Sequence, residues 1–562
     1  MVRARTSNLS WKTSGLFAAL ALLSIGAGVS VGKTIHVKAG GAGDGSSWEN
    51  AYGDLQSALD HADPNDDIWV AQGRYKPTSD YGLSIGNRGK HFRMKNHVGI
   101  YGGFSSAGDP NFEDRDWRTY ETVLSGDLLG NDVQVGHPRD LEHEPSRADN
   151  CYHVFYHPEE IHLDPNAVLD GFTIEGANAS GDGSLPNHTC YGGGMHNSGA
   201  SPTVADCTFR RNSVDHDYGC GGGGMYNGNS SPNVTDCTFS ENLATDRMGF
   251  GGGICNIGFS NPVITNCTFM RNHARGGGGM YTYSNSSPCW ATVRDCIFRC
   301  NESHGAGGGG MLIGPGSSAT VINSLFTGNS ARIYRGGAIH QNGGLNVKEV
   351  ELINCTIVGN QADERGGGVS LFVNQCIRLA NCIVWDNRAY YWTDPGPNIS
   401  GPALVSYSVV GSSGGAAPCF VDPGYWDLNG TPANTSDDFW VEGDYHLLAG
   451  SRCVDAGNNS YISPYTNRDL DGMNRFVDDP ATPDTGMGRP PIVDIGAYEF
   501  PGCPLGDFDD NCNLDWADFA QFARVWLKSR FVGEYDISVP PDNRINLLDF
   551  AVFGGSWEVS RE

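Results

Sequence analysis

The chain has 562 residues, and 64 acidic against 37 basic side chains give it a formal charge of −27 at pH 7. So acidic a surface disfavours nucleic acid and anionic membranes, attracts cations, and makes a polyanionic substrate awkward unless a divalent cation bridges the charges. The 78 glycines are periodic and sit at turns, so they point to a repeating scaffold rather than to disorder, and one solenoid can absorb most of this length.

In chain order, residues 1–32 read as a secretory signal: Arg3, Arg5 and Lys12, then an apolar run over 15–25, then small residues. Residues 26–32 lack a clean Ala-x-Ala site, so an uncleaved anchor is the rival reading. No later segment is long and apolar enough to span a bilayer. The expected product is therefore a secreted, extracellular or cell-surface monomer with no transmembrane segment once the signal is removed. Thr34–Val37 is a short predicted strand. Ser46 with Glu49 forms a capping box ahead of Ala51, Leu55, Ala58, Leu59 and Ala62 at helical spacing. Such a helix would hide the open end of a stack. A further strand is expected over 67–71.

From residue 190 to 387 one sentence repeats. Its first half is a glycine run closed by Met195, Met225, Ile254, Met280, Met311, Ile339 or Val369. Its second half reads Val-x-Asx-Cys-x-Phe-x-x-Asn. The Cys slot recurs at Cys207, Cys237, Cys267, Cys296, Ser324, Cys355 and Cys382, in steps of 30, 30, 29, 28, 31 and 27. The Asn slot follows at Asn212, Asn242, Asn272, Asn301, Asn329, Asn360 and Asn387. A fixed period in this range means stacked units. Cys207/Phe209 and their equivalents alternate with period two and no helical window intervenes, so the units are short strands joined by Gly, Asn, Ser and Pro turns. That pattern predicts a parallel β-helix, with equivalent residues ~4.8 Å apart up the stack. The Met, Cys and Phe slots should form inward columns. The Asn slot should stack at a turn and take an unusual φ there. A disulfide wants Cβ atoms ~3.8 Å apart, closer than parallel ladder neighbours, so the Cys slots should be buried reduced thiols. Cys190 with Cys220, and Cys419 with Cys453, are looser pairing candidates.

At these residues the chain resembles a known group. GGGM or GGAI followed by F-x-x-N looks like the repeats of polymorphic outer membrane proteins and related pectate-lyase-like bacterial β-helix proteins, over roughly residues 33–500. The stretches 97–104, 122–127 and 169–174 resemble the entry region and first regular coil of bacterial β-helix proteins. The resemblance implies an all-β, right-handed parallel β-helix, with a helical cap and first coils over 33–168 and regular coils over 169–500. It implies little about activity, because that scaffold hosts lyases, hydrolases and adhesins.

Two stretches resemble the C-terminal region of secreted bacterial β-helix proteins: Cys453-Val454-Asp455-Ala456-Gly457 with Asp469–Gly472 and Arg475, then Asp494 to Glu499. Asp455, Arg475 and Asp494 are expected to tie down the last coil, with cation binding as the alternative. Pro501 and Pro504 mark a boundary. Beyond it, Asp507, Asp509, Asn511, Asp515 and Asp518 occupy loop positions 1, 3, 5, 9 and 12, the spacing by which a tight turn converges oxygens on calcium. A second, stretched loop offers Asp536, Asp542, Asn546 and Asp549. This region, 501–562, resembles a type I dockerin, a small α-helical module. The resemblance implies calcium as cofactor and a cohesin-like protein partner. Within it Cys512 takes a slot that usually holds Gly, and Cys503 and Cys512 become candidates for a disulfide.

The Asn-Thr-Asp, Gly-His-Gly and Arg-Ile-Lys signatures of β-helix pectinases are absent. The charged runs at 215–217 and 363–365 fall in inter-coil loops and read as solvated. The residue after each inward Met should point outward, which nominates His196, Tyr226, Tyr281 and His340 as a partly aromatic strip suited to sugar rings. An outer packing layer is the alternative. The expected function is a modular surface protein whose β-helix binds or processes polysaccharide. The alternatives are a non-enzymatic adhesin and a polysaccharide lyase or glycoside hydrolase with an unrecognised site.

Overall fold

The computed structural model describes residues 32–502 and Phe519, apart from 84, 182–188, 216–220, 246–248, 286–288, 344–348, 373–374, 392–395, 413–416, 432–436 and 464–465. The expected signal at 1–31, Cys220, Cys503, Cys512 and every proposed calcium ligand from Asp507 to Asp549 lie outside the described residues.

The fold is a parallel β-helix with four short strands per regular coil. In one coil these are Met195–Ser198, Thr203–Ala205, Thr208–Arg210 and Ser213–Val214, and like strands stack into sheets I, II, III and IV. Among the described residues sheet I has nine strands, II twelve, III eleven and IV eight. The register is the one the repeat dictates: Met195 pairs with Met225, then Ile254 and Met280, while Phe209 pairs with Phe239, Phe269 and Phe298. A one-residue slip would turn every inward side chain out, so the apolar alternation fixes this pairing. Sheet II starts at Thr34–Val37 and sheet III at Gly73–Tyr75, so the stack begins well before the repeat is legible.

Packing follows from the stacking. Phe209, Phe239, Phe269, Phe298 and Phe326 lie fully buried, with successive ring centroids 4.8, 5.1, 4.5 and 4.6 Å apart and planes within 8° of parallel. Cys207, Cys237, Cys267, Cys296, Cys355 and Cys382 are buried free thiols, and the Cys237 Sγ donates to the Thr235 carbonyl at 3.1 Å. Cys419 and Cys453 are likewise free, while the Cys190 and Cys220 pairing reaches outside the described residues.

The Asn slot forms a buried ladder. Asn272 Nδ2 donates to the Phe239 carbonyl (2.8 Å) and to Asn301 Oδ1 (2.9 Å), and its own Oδ1 accepts from the backbone and side chain of Asn242. The expected unusual φ is not at this slot. It falls one residue earlier, at Arg211, Glu241, Arg271 and Cys300, and again at Asp206, Asp236, Asn266 and Asp295 before the Cys slot. The ladder residue must point inward to satisfy the carbonyl of the coil below, so its neighbour takes the left-handed corner. Short Asx side chains tolerate that region best.

The helix also differs from expectation. It spans Leu55–His61 and is capped by Asp54, whose carboxylate accepts from Ser57 N at 2.9 Å. Ser46 and Glu49 cap nothing. The Gly43 and Gly45 amides bond the Ala51 and Asn50 carbonyls, and His36 N bonds Gly45 O, so this stretch is folded back on the first strand. Leu55, Ala58 and Leu59 are buried with Ile35, Val37, Ile68 and Val70 at the start of the stack.

The last described segment lies over sheet III. Phe420, Tyr445, Leu447, Val454, Ile495 and Phe500 share a core with Leu325, Val358, Ile383, Trp385 and Val409. It is tied down as the sequence implied. The buried Arg475 donates to the Gly496 and Ala497 carbonyls at 3.1 and 2.8 Å. Asp494 accepts from the Asp455 and Phe500 amides at 2.7 and 2.6 Å.

Candidate functional site

Strands of sheet III offer two outward side chains each, and what covers them changes along the stack. Thr208/Arg210, Thr238/Ser240, Thr268/Met270 and Ile297/Arg299 are partly open, whereas Leu325/Thr327, Thr356/Val358 and Ile383/Trp385 are buried. The closing segment accounts for the difference. Among the described residues, these four coils are thus left as a partly open window beside the coils that the closing segment covers.

Trp117, Arg118 and Glu121 wall one end of the window and enclose a cleft of about 460 Å³ with Asp206, Asp236, Asn266 and the Thr208, Thr238 and Thr268 row. Asn266 continues into a second cleft of about 380 Å³ with Asp295 and the loop from Asn467 to Gly472. Asp206, Asp236, Asn266 and Asp295 therefore form one edge, each a coil apart at roughly 4.8 Å. Across the window a third cleft of about 420 Å³ lies under Trp426, Phe439 and Trp440, beside Glu241, Arg271 and His273. Phe439 is half exposed, and the buried Asp438 carboxylate in that cleft accepts no hydrogen bond. Trp440 can lie flat there because Gly328 and Gly359 carry no Cβ. Added ones would stand 2.4 and 2.0 Å from its ring.

The window's charges are arranged in two ways. Arg210 is held by Glu175 (2.6 Å) and Glu121 (3.2 Å), and Arg74 also pairs with Glu175 at 2.5 Å, which fixes a rigid network at one corner. The Asx edge is less neutralised. Burial together with the nearby Asp170 and Asp236 carboxylates pushes the Asp206 carboxyl up to about 6, against the pull of Arg115 and Arg118. Asp236 accepts from Thr235 Oγ1 at 2.9 Å and from the Asn266 side chain.

The sequence-nominated aromatic strip is corrected. His196, Tyr281 and His340 are buried and Tyr226 is half-buried. His196 stacks on Tyr226 with centroids 5.0 Å apart, Tyr281 stacks on Phe250 at 4.5 Å, and His340 Nδ1 lies 3.0 Å from the Ser370 carbonyl. Burial lowers the His340 pKa to about 4. These side chains do leave the inner core, but Phe250, Ala306 and Tyr283 join Tyr226 and Tyr281 in a second apolar layer, while Tyr156 and Tyr191 pack on His196 and Tyr334 on His340. The charged loop at 363–365 is structural too: Glu364 pairs with Arg335 at 2.7 Å and Asp363 accepts from Ile333 N. Of the run at 215–217, only Asp215 is described. The Asx slot is legible in the sequence as part of the repeat, but nothing in the repeat marks Asp206, Asp236, Asn266 and Asp295 as lining an open edge.

The family-model comparison agrees on architecture. The family described as right-handed β-helix region matches residues 161–349. The molecule is a right-handed parallel β-helix protein. Among solved structures, that of pectate lyase Pel9A is similar at 16% identity and a TM-score of 0.43, covering 84% of this chain and 98% of that one. No curated protein matches the chain. Among the described residues, no helix is long and apolar enough to cross a membrane.

Proposed function

We propose that the window over sheet III binds a polysaccharide strand running along the stack. One observation carries the reading: hydroxyl, amide and carboxylate side chains repeat at coil spacing along an open groove that ends against indole and phenyl faces. A glycan offers hydroxyls at regular intervals and apolar ring faces between them, and aromatic rings beside a few placed polar groups are what such ligands need. The net charge favours a neutral glycan over a polyanion, unless calcium bridges. Processing is the second reading, favoured by Asp206 beside Asp236. In that role Asp206, whose carboxyl is raised toward neutral pH, would be the proton donor, since a general acid works best with a pKa near the operating pH.

The sequence extends this reading at both ends of the chain. The basic, apolar and small-residue leader supports export. The Asp507–Asp518 spacing supports a calcium-dependent dockerin-like module that would tether the β-helix to a cohesin-like protein. Residues 503–562 should gain helical circular dichroism when calcium is added, and a spectrum indifferent to calcium would remove the tether.

The groove is tested by passing the purified chain over immobilised neutral and acidic polysaccharides, with calcium or chelator, while following retention and released product. Retention on at least one glycan should weaken in Trp117→Ala and Asp236→Asn. Retention untouched by both substitutions, or none on any glycan, defeats the assignment. Product release abolished by Asp206→Asn would establish processing.

A further inference from the structure

A separate feature of the closing segment has the chemistry of a metal site. Asp455, Asp478 and Asp484 each bring a carboxylate oxygen within 4.8 Å of the other two. Asp455 has no solvent exposure, and its environment is half satisfied. Oδ2 accepts from Asp479 N at 3.2 Å, while Oδ1 has no hydrogen-bond partner. Among the described residues no lysine, arginine or histidine forms an ion pair with any of the three. An isolated buried carboxylate oxygen is expensive, and packing two more carboxylates beside it adds repulsion. A hard divalent cation removes both costs at once.

We infer that Asp455, Asp478 and Asp484 form a calcium site, with Asp455 as its buried ligand and the two exposed aspartates closing it from the solvent side. Calcium fits because it takes six to eight oxygens in flexible geometry and completes its shell with water or backbone carbonyls. The site would couple two parts of the closing segment. Asp455 sits in the tie to Asp494, and its own carbonyl accepts from the Thr485 and Gly486 amides. Calcium would thus fasten the 478–486 excursion to the piece that covers sheet III and bounds the window. It is a structural ion, independent of the C-terminal loops and of any glycan.

The test uses the full chain carrying Asp507→Ala and Asp536→Ala, so that the C-terminal loops contribute nothing, freed of metal by chelator and titrated with calcium chloride in a calorimeter. This parent should still take up calcium. Asp478→Asn with Asp484→Asn, both at exposed positions, should weaken that uptake at least about tenfold, since even outer-sphere changes at metal sites cost roughly 10–100-fold. Calcium should also slow protease cleavage within 453–500 in the parent but not in the doubly changed chain. A parent that takes up no calcium, or a doubly changed chain that binds as tightly as the parent, overturns the assignment. Unchanged circular dichroism without calcium confirms that the comparison is between folded chains.

Discussion

Asn272→Ala tests what the asparagine ladder contributes. Asn272 is fully buried, and its amide makes four contacts. It donates to the Phe239 carbonyl and Asn301 Oδ1, and accepts from the Asn242 backbone amide at 3.1 Å and the Asn242 side chain at 3.0 Å. Truncation leaves some of these groups other partners: Asn301 Oδ1 still accepts from the Asn272 backbone at 3.1 Å, and Asn242 Nδ2 still reaches the Phe209 carbonyl. The Asn242 N–H and the ladder bond to Phe239 O are lost inside the protein. An orphaned buried polar group costs about 1–3 kcal/mol. Two such losses with a small cavity put the substitution at about 2–5 kcal/mol. Each coil touches only its neighbours, so the loss is local but cuts the stack in the middle. Urea denaturation followed by far-UV circular dichroism, read against surface Thr268→Ala, measures it. Equal midpoints for the two variants would mean that the ladder fits the turn without stabilising it.

Four further outcomes are expected. Phe239→Ala, in the middle of the ring stack, should cost about 3–5 kcal/mol, whereas Arg211→Ala, which removes a partly exposed 2.7 Å pair with Glu241, should cost about 0.5 kcal/mol; similar values in denaturant melts would reverse the inward and outward assignment. The ladder thiols Cys207, Cys237, Cys267, Cys296, Cys355 and Cys382 should resist thiol reagent in the native state and react after unfolding, and a mapped disulfide between ladder neighbours would break the register. Gly359→Ala should lift Trp440 from its seat and shift the tryptophan emission, because the new Cβ would stand 2.0 Å from the ring at φ +65°; Gly430→Ala, at φ +71° with open space around it, should cost only backbone strain of about 1–2 kcal/mol and leave the emission unchanged. Asp206, raised to about 6 from 3.8, binds its proton more tightly folded than unfolded, so its stabilising contribution is complete below about pH 4 and disappears as pH rises through 6. Thermal melts should therefore show Asp206→Asn gaining on the parent between pH 4 and 7, and a constant difference would argue against the shift.

The sequence by itself determined the coil. A period near 30 residues with apolar slots two apart leaves one way to stack the chain, because only the register that superimposes Phe on Phe and Asn on Asn keeps every inward side chain buried and every ladder amide bonded. Buried thiols followed from the same ladder spacing, whereas the tie of Arg475 and Asp494 was legible only through the resemblance of the closing stretches to other β-helix proteins. What lies over the coil's outer face was not written there. His196 and Tyr281 looked outward by alternation and are outward, yet loops from adjacent coils cover them. Thr238 and Asp236, in ordinary repeat slots, stay open because the closing segment stops short of them. The helix start moved from Ser46 to Asp54 because strand contacts claimed the earlier turn. Trp440 reaches Gly328 and Gly359 from some 80 to 110 residues away, and Asp478 and Asp484 meet Asp455 across a loop. Local periodicity decides which side of a strand a residue faces, but only tertiary packing decides whether solvent or protein meets it there.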